Sequence, residues 1–304
     1  MKMKLPKIFL ISLVAASWAS DSLAQELTPR LFWPAPKGTK VLFAGYSYSE
    51  GDVLFDASIP IEAAGSKVNV GVLGYAQTLD LWGRTSNILV TLPYASGKSK
   101  GLVNGLTEKR EFSAFGDLSL TLNVNIKGAP SMNAEEFHAF RADPRTLFGA
   151  SIKVIAPTGK YDSDRLVNVG ANRWTTRLKL GAIQPFKQHW LFELNASAWL
   201  FGDDKDFVNG RKEQQPIYSM EANLIRRIRP GLWASLDFTY YRGGRQTIGG
   251  DPLKNSLSNV KLGGTMVVPF LRRHAIKIGY ANGLVTRYGE DFDQVLITYQ
   301  TLLD

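Results

Sequence analysis

The chain of 304 residues contains no cysteine, which excludes disulfide frameworks, thiolate metal sites and any need for oxidative folding. Long apolar runs are also missing, because no stretch after residue 24 approaches the roughly 18 consecutive apolar residues of a membrane-spanning helix. Histidine is scarce, since only His138, His189 and His274 are present. These absences argue against helical insertion into the inner membrane and leave few groups for acid–base catalysis.

The first 24 residues have the pattern of an export signal. Lys2, Lys4 and Lys7 form a basic start, "IFLISLVAA" forms an apolar centre, and Ser22-Leu23-Ala24 offers small residues for cleavage. We therefore expect an exported mature chain that begins at Gln25, with no cysteine there to carry a lipid anchor. Removal of the segment takes away three Lys and one Asp, so the formal net charge falls from +9 to +7.

The remaining basic residues do not predict a nucleic-acid partner. Lys and Arg are spread along the chain rather than gathered in one stripe. The stretch "APTGKYDSDRLVNVGANRW" is similarly not a phosphate-binding loop, because that loop needs Gly and Ser or Thr where Val154 and Tyr161 stand. Asp162, Asp164 and Arg165 in this stretch are interpreted as a solvated or lipopolysaccharide-facing surface, since no close third carboxylate completes a cation site. We expect no cofactor and no metal.

Alternation of apolar and polar residues is the main structural signal. In Asp117 to Ile126 the residues Leu118, Leu120 and Leu122 fall on one face, and Asp117, Ser119 and Thr121 fall on the other. Such a segment is typical of a strand with one apolar and one polar face. The sequence predicts about twelve strands, at residues 39–49, 67–81, 84–93, 115–126, 147–157, 174–183, 190–201, 217–228, 232–241, 259–269, 274–281 and 291–302.

The connections between these segments alternate between short and long. Short turns on one rim and long polar loops on the other are typical of an outer-membrane barrel, with the short turns in the periplasm. One short-side connection, residues 127–146, is long and is predicted to hold a helix from Asn133 to Arg141. We interpret that helix as a plug, a docking element or a simple insertion. Aromatic residues lie near the predicted strand ends, where interfacial girdles require them: Trp82, Tyr94, Trp174, Trp190, Trp199 and Tyr299.

These features predict an all-β fold, a transmembrane antiparallel up-and-down β-barrel of about twelve strands. A secreted β-sandwich is the alternative, because it also alternates apolar and polar residues. The predicted organisation is a cleaved signal at 1–24, a Pro-rich periplasmic leader at 25–37 and the barrel at 38–304. Two interpretations of the leader stay open: Leu31, Phe32 and Trp33 enter the barrel from below, or the leader is a loose tail.

Several stretches resemble the family of outer-membrane proteins named for the meta pathway of phenol degradation, and within it the SphA-like branch. They are "WPAPKGTK", "GYSYSEGDV", "PIEAAG", "LPYASGKSKG", "FGDLSLTLNVNIKGAP", "APTGKYDSDRLVNVGANRW", "SLDFTYYRGG" and "TRYGEDFDQV". The resemblance implies an exported barrel in the Gram-negative outer membrane that takes up aromatic or lipid-like compounds. It carries over no catalytic or binding residues.

If the apolar faces meet lipid, charged residues on the opposite faces point into the lumen. The candidate lumen-lining residues are Asp117, Lys153, Arg177, Lys179, Glu193, Glu221, Arg227, Asp237, Lys261 and Lys277. About twelve strands leave a narrow lumen that such side chains partly fill. The charges therefore form either a selective path or structural ion pairs that close the barrel.

The sequence favours a passive channel for small hydrophobic, aromatic or amphipathic molecules, in contact with outer-membrane lipid and lipopolysaccharide. A non-transporting structural or adhesive protein is the alternative. A barrel hydrolase would need a His beside a Ser and an orienting group. His189 and His274 lie in predicted turns, and His138 has no Ser neighbour at strand spacing, so we predict no enzyme.

Overall fold

A computed structural model describes residues 28–51, 66–103, 106–165, 167–208, 210–285 and 292–303. The predicted export signal at 1–24 and the first leader residues lie outside these described ranges, as do parts of five predicted long loops. The strands are β1 Lys40–Gly51, β2 Ser66–Leu81, β3 Arg84–Val103, β4 Leu106–Phe115, β5 Ser119–Lys127, β6 Leu147–Ile155, β7 Thr175–Phe186, β8 Trp190–Phe201, β9 Lys212–Gln214, β10 Ile217–Arg229, β11 Leu232–Gly243, β12 Gln246–Ile248, β13 Asp251–Pro252, β14 Leu257–Phe270, β15 His274–Val285 and β16 Phe292–Leu303. The helix α1 spans Ala134–Ala142.

The main sheet closes on itself, because β1 pairs with β2 on one edge and with β16 on the other. All neighbours are antiparallel, and β4 and β5 pair with successive parts of β3. Since β4 and β5 both lie beside β3, they count as one position in the wall. The main sheet is therefore a closed antiparallel barrel of 12 strands. The predicted fold class is confirmed. The short strands β9, β12 and β13 form a separate small sheet between two of the long loops.

One predicted loop is wrong. The stretch around residues 94–111 was expected to be irregular, but β3 continues through it to Val103 and turns back as β4. Cross-strand pairs explain the regular structure, since Tyr94 packs edge-on against Phe115 and Lys98 lies 2.5 Å from Glu111. The sequence from Ser96 to Lys100 has no regular apolar alternation, so the pattern does not predict this strand.

The two faces of the wall separate as the alternation predicts. Leu73, Leu180 and Leu236 point outward and are 62%, 63% and 69% exposed, in the position of a lipid-facing band. On the opposite face, polar residues such as Asn123 and Glu193 are buried. The sequence pattern therefore fixes which side of each strand forms the interior.

Short connections gather at one end of the barrel, which we call the short-turn rim; the other end is the long-loop rim. At the short-turn rim, Trp82 and Gly83 join β2 to β3 with φ angles of 53° and 72°. Positive φ at both central residues is the requirement of a type I′ hairpin turn, which matches the twist of the strands it joins. Residues 187–189, 230–231 and 271–273 make the other short turns.

The predicted helix is confirmed at the short-turn rim. Asn133 accepts hydrogen bonds from the backbone of Glu135 and Glu136, and the Glu136 side chain accepts from the Asn133 backbone, which completes a capping box. Phe137 and Phe140 are buried. The helix therefore turns its apolar side toward the barrel. In the part of the chain described, no helix combines the length and the apolar character needed to cross a membrane.

One predicted girdle residue is wrong. Trp82 and Trp174 are exposed at the rims, but Trp199 is only 7% exposed and faces inward. Its register explains the difference, because Trp199 continues the inward set of β8 after Glu193 and Ser197. Inside, its ring lies under the Arg177 guanidinium at 4.9 Å, a cation–π contact.

The outward face can be tested with two Leu-to-Arg changes. Leu236→Arg should lower the free energy of unfolding by about 2–4 kcal/mol, because it places a charge on the lipid face near the middle of β11. Leu271→Arg is the matched control, since Leu271 is exposed in a turn and should cost about 0–1 kcal/mol. Denaturant titration in phospholipid vesicles measures both. Equal costs would contradict the assignment of the faces.

Candidate functional site in the barrel interior

The structure places the predicted lumen-lining charges on the inner wall. All are buried except Arg227, which is half-buried near the short-turn rim. Lys153 and Arg177 stand opposite each other on β6 and β7. Around the wall, basic residues on β6 and β7 are followed by Glu193, Glu221 and Asp237 on β8, β10 and β11, and then by Lys261 and Lys277 on β14 and β15.

The barrel interior also contains the leader. Thr28, Arg30, Leu31, Phe32, Trp33 and Ala35 are buried, and we call residues 28–36 the leader segment. Its apolar side chains join one hydrophobic cluster with the wall and with Phe137 and Phe140 of α1. The Trp33 and Phe140 rings lie 5.7 Å apart. The leader segment and α1 together cover the short-turn end of the barrel.

A buried ion pair holds the start of the leader segment. Lys179 Nζ lies 2.8 Å from Glu221 Oε1, and both side chains are almost fully buried. The Thr28 hydroxyl donates to Glu221 Oε2 at 3.0 Å and accepts from Lys179 Nζ at 3.0 Å. Buried charges are stable only when they are paired and hydrogen-bonded, so Thr28 completes a set that the wall begins.

Arg30 provides the next attachment. Its backbone N–H donates to Glu193 Oε2 at 2.5 Å. Its guanidinium lies between two indole rings, 4.9 Å from Trp33 and 5.1 Å from Trp233. A desolvated guanidinium over an aromatic face is a favourable contact. The leader segment is thus attached to β8 through hydrogen bonding and to β11 through stacking.

Arg227 joins the wall to α1 and to a neighbouring turn. Its guanidinium donates to the carbonyl oxygens of Arg141 and Gln188, both at 2.9 Å, and lies 5.4 Å from the Trp33 ring. Arg141 sits in the last turn of the helix, where a cation is favoured. Burial and the nearby Arg227 charge lower the pKa of Arg141. Arg227 therefore fastens the cover at the short-turn rim.

At the long-loop rim, Asp117 holds residues 156–174, the stretch that lacks the spacing of a phosphate-binding loop. Its two carboxylate oxygens accept from the backbone N–H groups of Gly159 at 2.7 Å and Ala171 at 2.8 Å. Val169 and Ala171 are buried by this arrangement. Asp117 faces inward as predicted, but it holds the 156–174 loop over the interior.

A second carboxylate, Asp204, fixes the outer part of the same loop. Asp204 accepts from the Tyr161 hydroxyl at 2.5 Å and from Asn172 Nδ2 at 2.8 Å. Burial, together with this hydrogen bond to Asp204, raises the pKa of Tyr161. The phenol therefore remains a donor, and the loop is held at both ends.

Many inner-wall polar atoms have no hydrogen-bond partner among the described residues. They are the side-chain oxygens or nitrogens of Ser47, Thr78, Asn87, Thr121, Asn123, Asn125, Ser151, Thr175, Asn195, Asn223 and Gln300. Buried polar groups usually have partners, and each one left without costs about 1–3 kcal/mol. Such a wall suits water or a polar solute better than a dry core.

Among the described residues, no group of three or more His, Cys, Asp or Glu is placed to hold a metal ion. Arg165 pairs with Asp162 at 2.7 Å, as expected of a surface cluster. His138 and His189 are exposed, and His274 Nδ1 shares a hydrogen bond of 2.7 Å with the Tyr299 hydroxyl.

The ion pair under the leader segment can be tested by stability. Lys179→Met should lower the free energy of unfolding by about 3–5 kcal/mol, because Glu221 is left buried without its cation. Lys179→Met combined with Glu221→Met should recover most of that loss. Lys37→Met is the control, since Lys37 pairs with Asp80 at the surface and should change stability by less than about 1 kcal/mol. A urea titration showing equal losses for Lys179 and Lys37 would refute the buried pair.

The chain is similar to solved outer-membrane proteins and matches one family model. The COG4313 outer membrane channel from Pseudomonas putida F1 superposes with a TM-score of 0.73 over 89% of this chain and 98% of its own, at 22% identity. The beta domain of the Bordetella autotransporter BrkA gives a TM-score of 0.50 over 88% and 100%, at 11% identity. At these identities the likeness concerns the fold. No curated protein sequence matches the chain. A family model described as "Putative MetA-pathway of phenol degradation" matches residues 49–280, and the chain belongs to that family.

Proposed function

We propose that the protein is an outer-membrane channel for passive uptake of small hydrophobic, aromatic or amphipathic molecules. The observation that supports this most directly is that the leader segment, which belongs to no strand of the wall, covers the short-turn end of the barrel. Thr28 and Arg30 attach that segment through side chains of the wall. These polar contacts and the buried apolar side chains hold the segment, which belongs to no strand of the wall. It can therefore leave without breaking the sheet, and its departure opens the interior.

Apart from Asp117 and Arg227, which hold the 156–174 loop and α1, the predicted lumen residues divide into two groups. Lys179, Glu193 and Glu221 hold the leader segment, so they act on opening. Lys153, Arg177, Asp237, Lys261 and Lys277 stand on the rest of the wall and line the path once it is open. A path with both signs of charge and many hydroxyl and amide groups suits slow passage of small solutes.

The proposed setting follows from the barrel. The export signal at 1–24 is removed after Ala24, and the barrel inserts into the outer membrane of a Gram-negative bacterium. The short-turn rim faces the periplasm and the long-loop rim faces outward, in contact with lipopolysaccharide. The partners are membrane lipid and the solute. Nucleic acid and catalysis have no part in this proposal.

A structural or adhesive role is the second candidate. It is favoured by the burial of the interior charges and by the covers at both rims, which describe a barrel without a wide opening. A permanent cover would make the paired charges purely structural. The two candidates differ in what happens when the leader segment is removed.

Deletion of residues 25–36 should raise ion conductance in planar bilayers and solute entry in liposome swelling. The expected reason is loss of the short-turn cover, while the wall pairs from Lys40 onward remain. The intact chain refolded in parallel is the control, and the heat-dependent gel shift shows that both barrels fold. A folded deletion variant with no conductance would favour the structural role.

Charge changes on the path should alter ion selectivity in the same deletion variant. Lys261→Gln and Lys277→Gln remove buried positive charges from the wall, so reversal potentials should shift toward cation preference. Lys187→Gln is the matched control, because Lys187 is exposed in a short turn. If the path substitutions and the control give the same reversal potential, these lysines do not face the conducting path.

A further inference from the structure

The ring of Phe32 lies on two glycines of the inner wall. Gly149 on β6 and Gly181 on β7 stand directly opposite each other. A Cβ atom added to Gly149 would lie 2.1 Å from Phe32 Cδ1, and one added to Gly181 would lie 2.5 Å from Phe32 Cε2. Carbon atoms in contact normally stay about 3.5–4.0 Å apart. Only the missing side chains at these two positions let an aromatic ring lie against the wall.

Two asparagines flank the glycine pair in the same register. Asn125 on β5 stands opposite Gly149, and Asn195 on β8 stands opposite Gly181. Asn125, Gly149, Gly181 and Asn195 therefore form one row across four neighbouring strands, which we call the ring seat. Its centre accepts a flat apolar group, and its two ends carry amides.

Both amides use their nitrogen as a donor and leave their oxygen acceptor unused. Asn125 Nδ2 donates to the carbonyl oxygen of Thr85 at 3.3 Å, and Asn195 Nδ2 donates to Glu193 Oε1 at 3.1 Å. The Oδ1 atoms of both residues are buried and have no hydrogen-bond partner within the described ranges of the chain. Asn195 Oδ1 also lies 2.0 Å from the point where a Gly181 Cβ would be, so it borders the space beneath the ring.

The phenylalanine that fills the seat leaves these acceptors unsatisfied. A phenyl ring has no donor, and a buried acceptor without a partner costs free energy. An aromatic ring with a hydroxyl donor would fill the same flat space and satisfy an amide oxygen. The wall therefore matches a hydroxylated ring better than it matches the residue of its own chain.

We propose that the ring seat is the channel's binding site for a monocyclic aromatic molecule that carries a hydroxyl donor, and that Phe32 occupies it in place of such a solute. This inference rests on the proposed channel function. It adds that the leader segment covers the barrel by imitating the solute, so that solute and leader compete for one position.

Phenol and anisole test the seat, because both have one ring and only phenol has a donor. In the full chain with Phe32→Ala, phenol should raise the thermal transition of the detergent-solubilised barrel well above the shift that anisole produces. The unchanged chain, whose seat is filled, should show a smaller response to phenol. Adding Asn125→Leu and Asn195→Leu to the Phe32→Ala chain should remove the difference between phenol and anisole, a loss on the order of tenfold in relative affinity.

Glycine substitutions provide an independent measurement if Phe32→Ala does not fold. Gly149→Ala and Gly181→Ala in the otherwise unchanged chain should lower the thermal transition, because the added methyl group meets the Phe32 ring and, at Gly181, also the Asn195 amide. Gly71→Ala is the matched control in β2, since a Cβ there meets its nearest atom at 4.0 Å. Equal effects of all three substitutions would overturn the seat.

These outcomes distinguish failure of the ring-seat proposal from failure of the channel proposal. Phenol and anisole acting alike on Phe32→Ala would overturn the ring seat, even if the barrel lacking residues 25–36 conducts. Phenol-specific stabilisation of Phe32→Ala supports the seat, even if the deletion variant carries no current. In that second case the channel proposal fails, and the seat stands as a binding site of a closed barrel.

Discussion

The structure depends on the need to pair every backbone amide where water is absent. Strands in a hydrocarbon layer meet this need only when the sheet has no free edge, and here β1 closes the ring by pairing with both β2 and β16. Closure forces each strand to show one face to lipid and the other to the interior. Leu180 on the outside and Lys179 on the inside are neighbours in sequence for that reason. The inner wall consequently receives polar and charged groups that must find partners.

The leader segment answers part of that need. Lys179 and Glu221 pair across the wall, and Thr28 completes their hydrogen bonding. Glu193 binds the Arg30 backbone, and the Arg30 side chain lies between two indole rings. Three of the charges predicted to line the lumen therefore hold the segment that covers it. In the proposed channel, the same residues link the stability of the closed state to opening, since each contact that holds the leader must be exchanged for solvent or solute.

Sequence reasoning recovered the parts of the molecule that follow from local pattern. Alternation located the strands of the wall and the inward faces of residues such as Lys153 and Asp237, and capping chemistry located α1. It failed where partners are distant or faces are polar on both sides. The sequence of the β3–β4 hairpin does not alternate regularly between apolar and polar residues. Trp199 was assigned by residue type rather than by register, and Asp117 binds a loop that alternation does not describe. The leader is recognisable as apolar from the sequence, but no local stretch of sequence indicates that its partners lie on β8 and β10.

The placement of the leader has a consequence for assembly. Thr28 lies 193 residues from Glu221 in the chain, and Lys40 pairs with Leu303 at the seam. Pairings of such separation are slow to form, because the entropy cost of closing a long stretch of chain comes before the contacts that repay it. We therefore expect the seam and the leader contacts to limit the rate of assembly, and the sheet keeps two free edges until β1 and β16 meet.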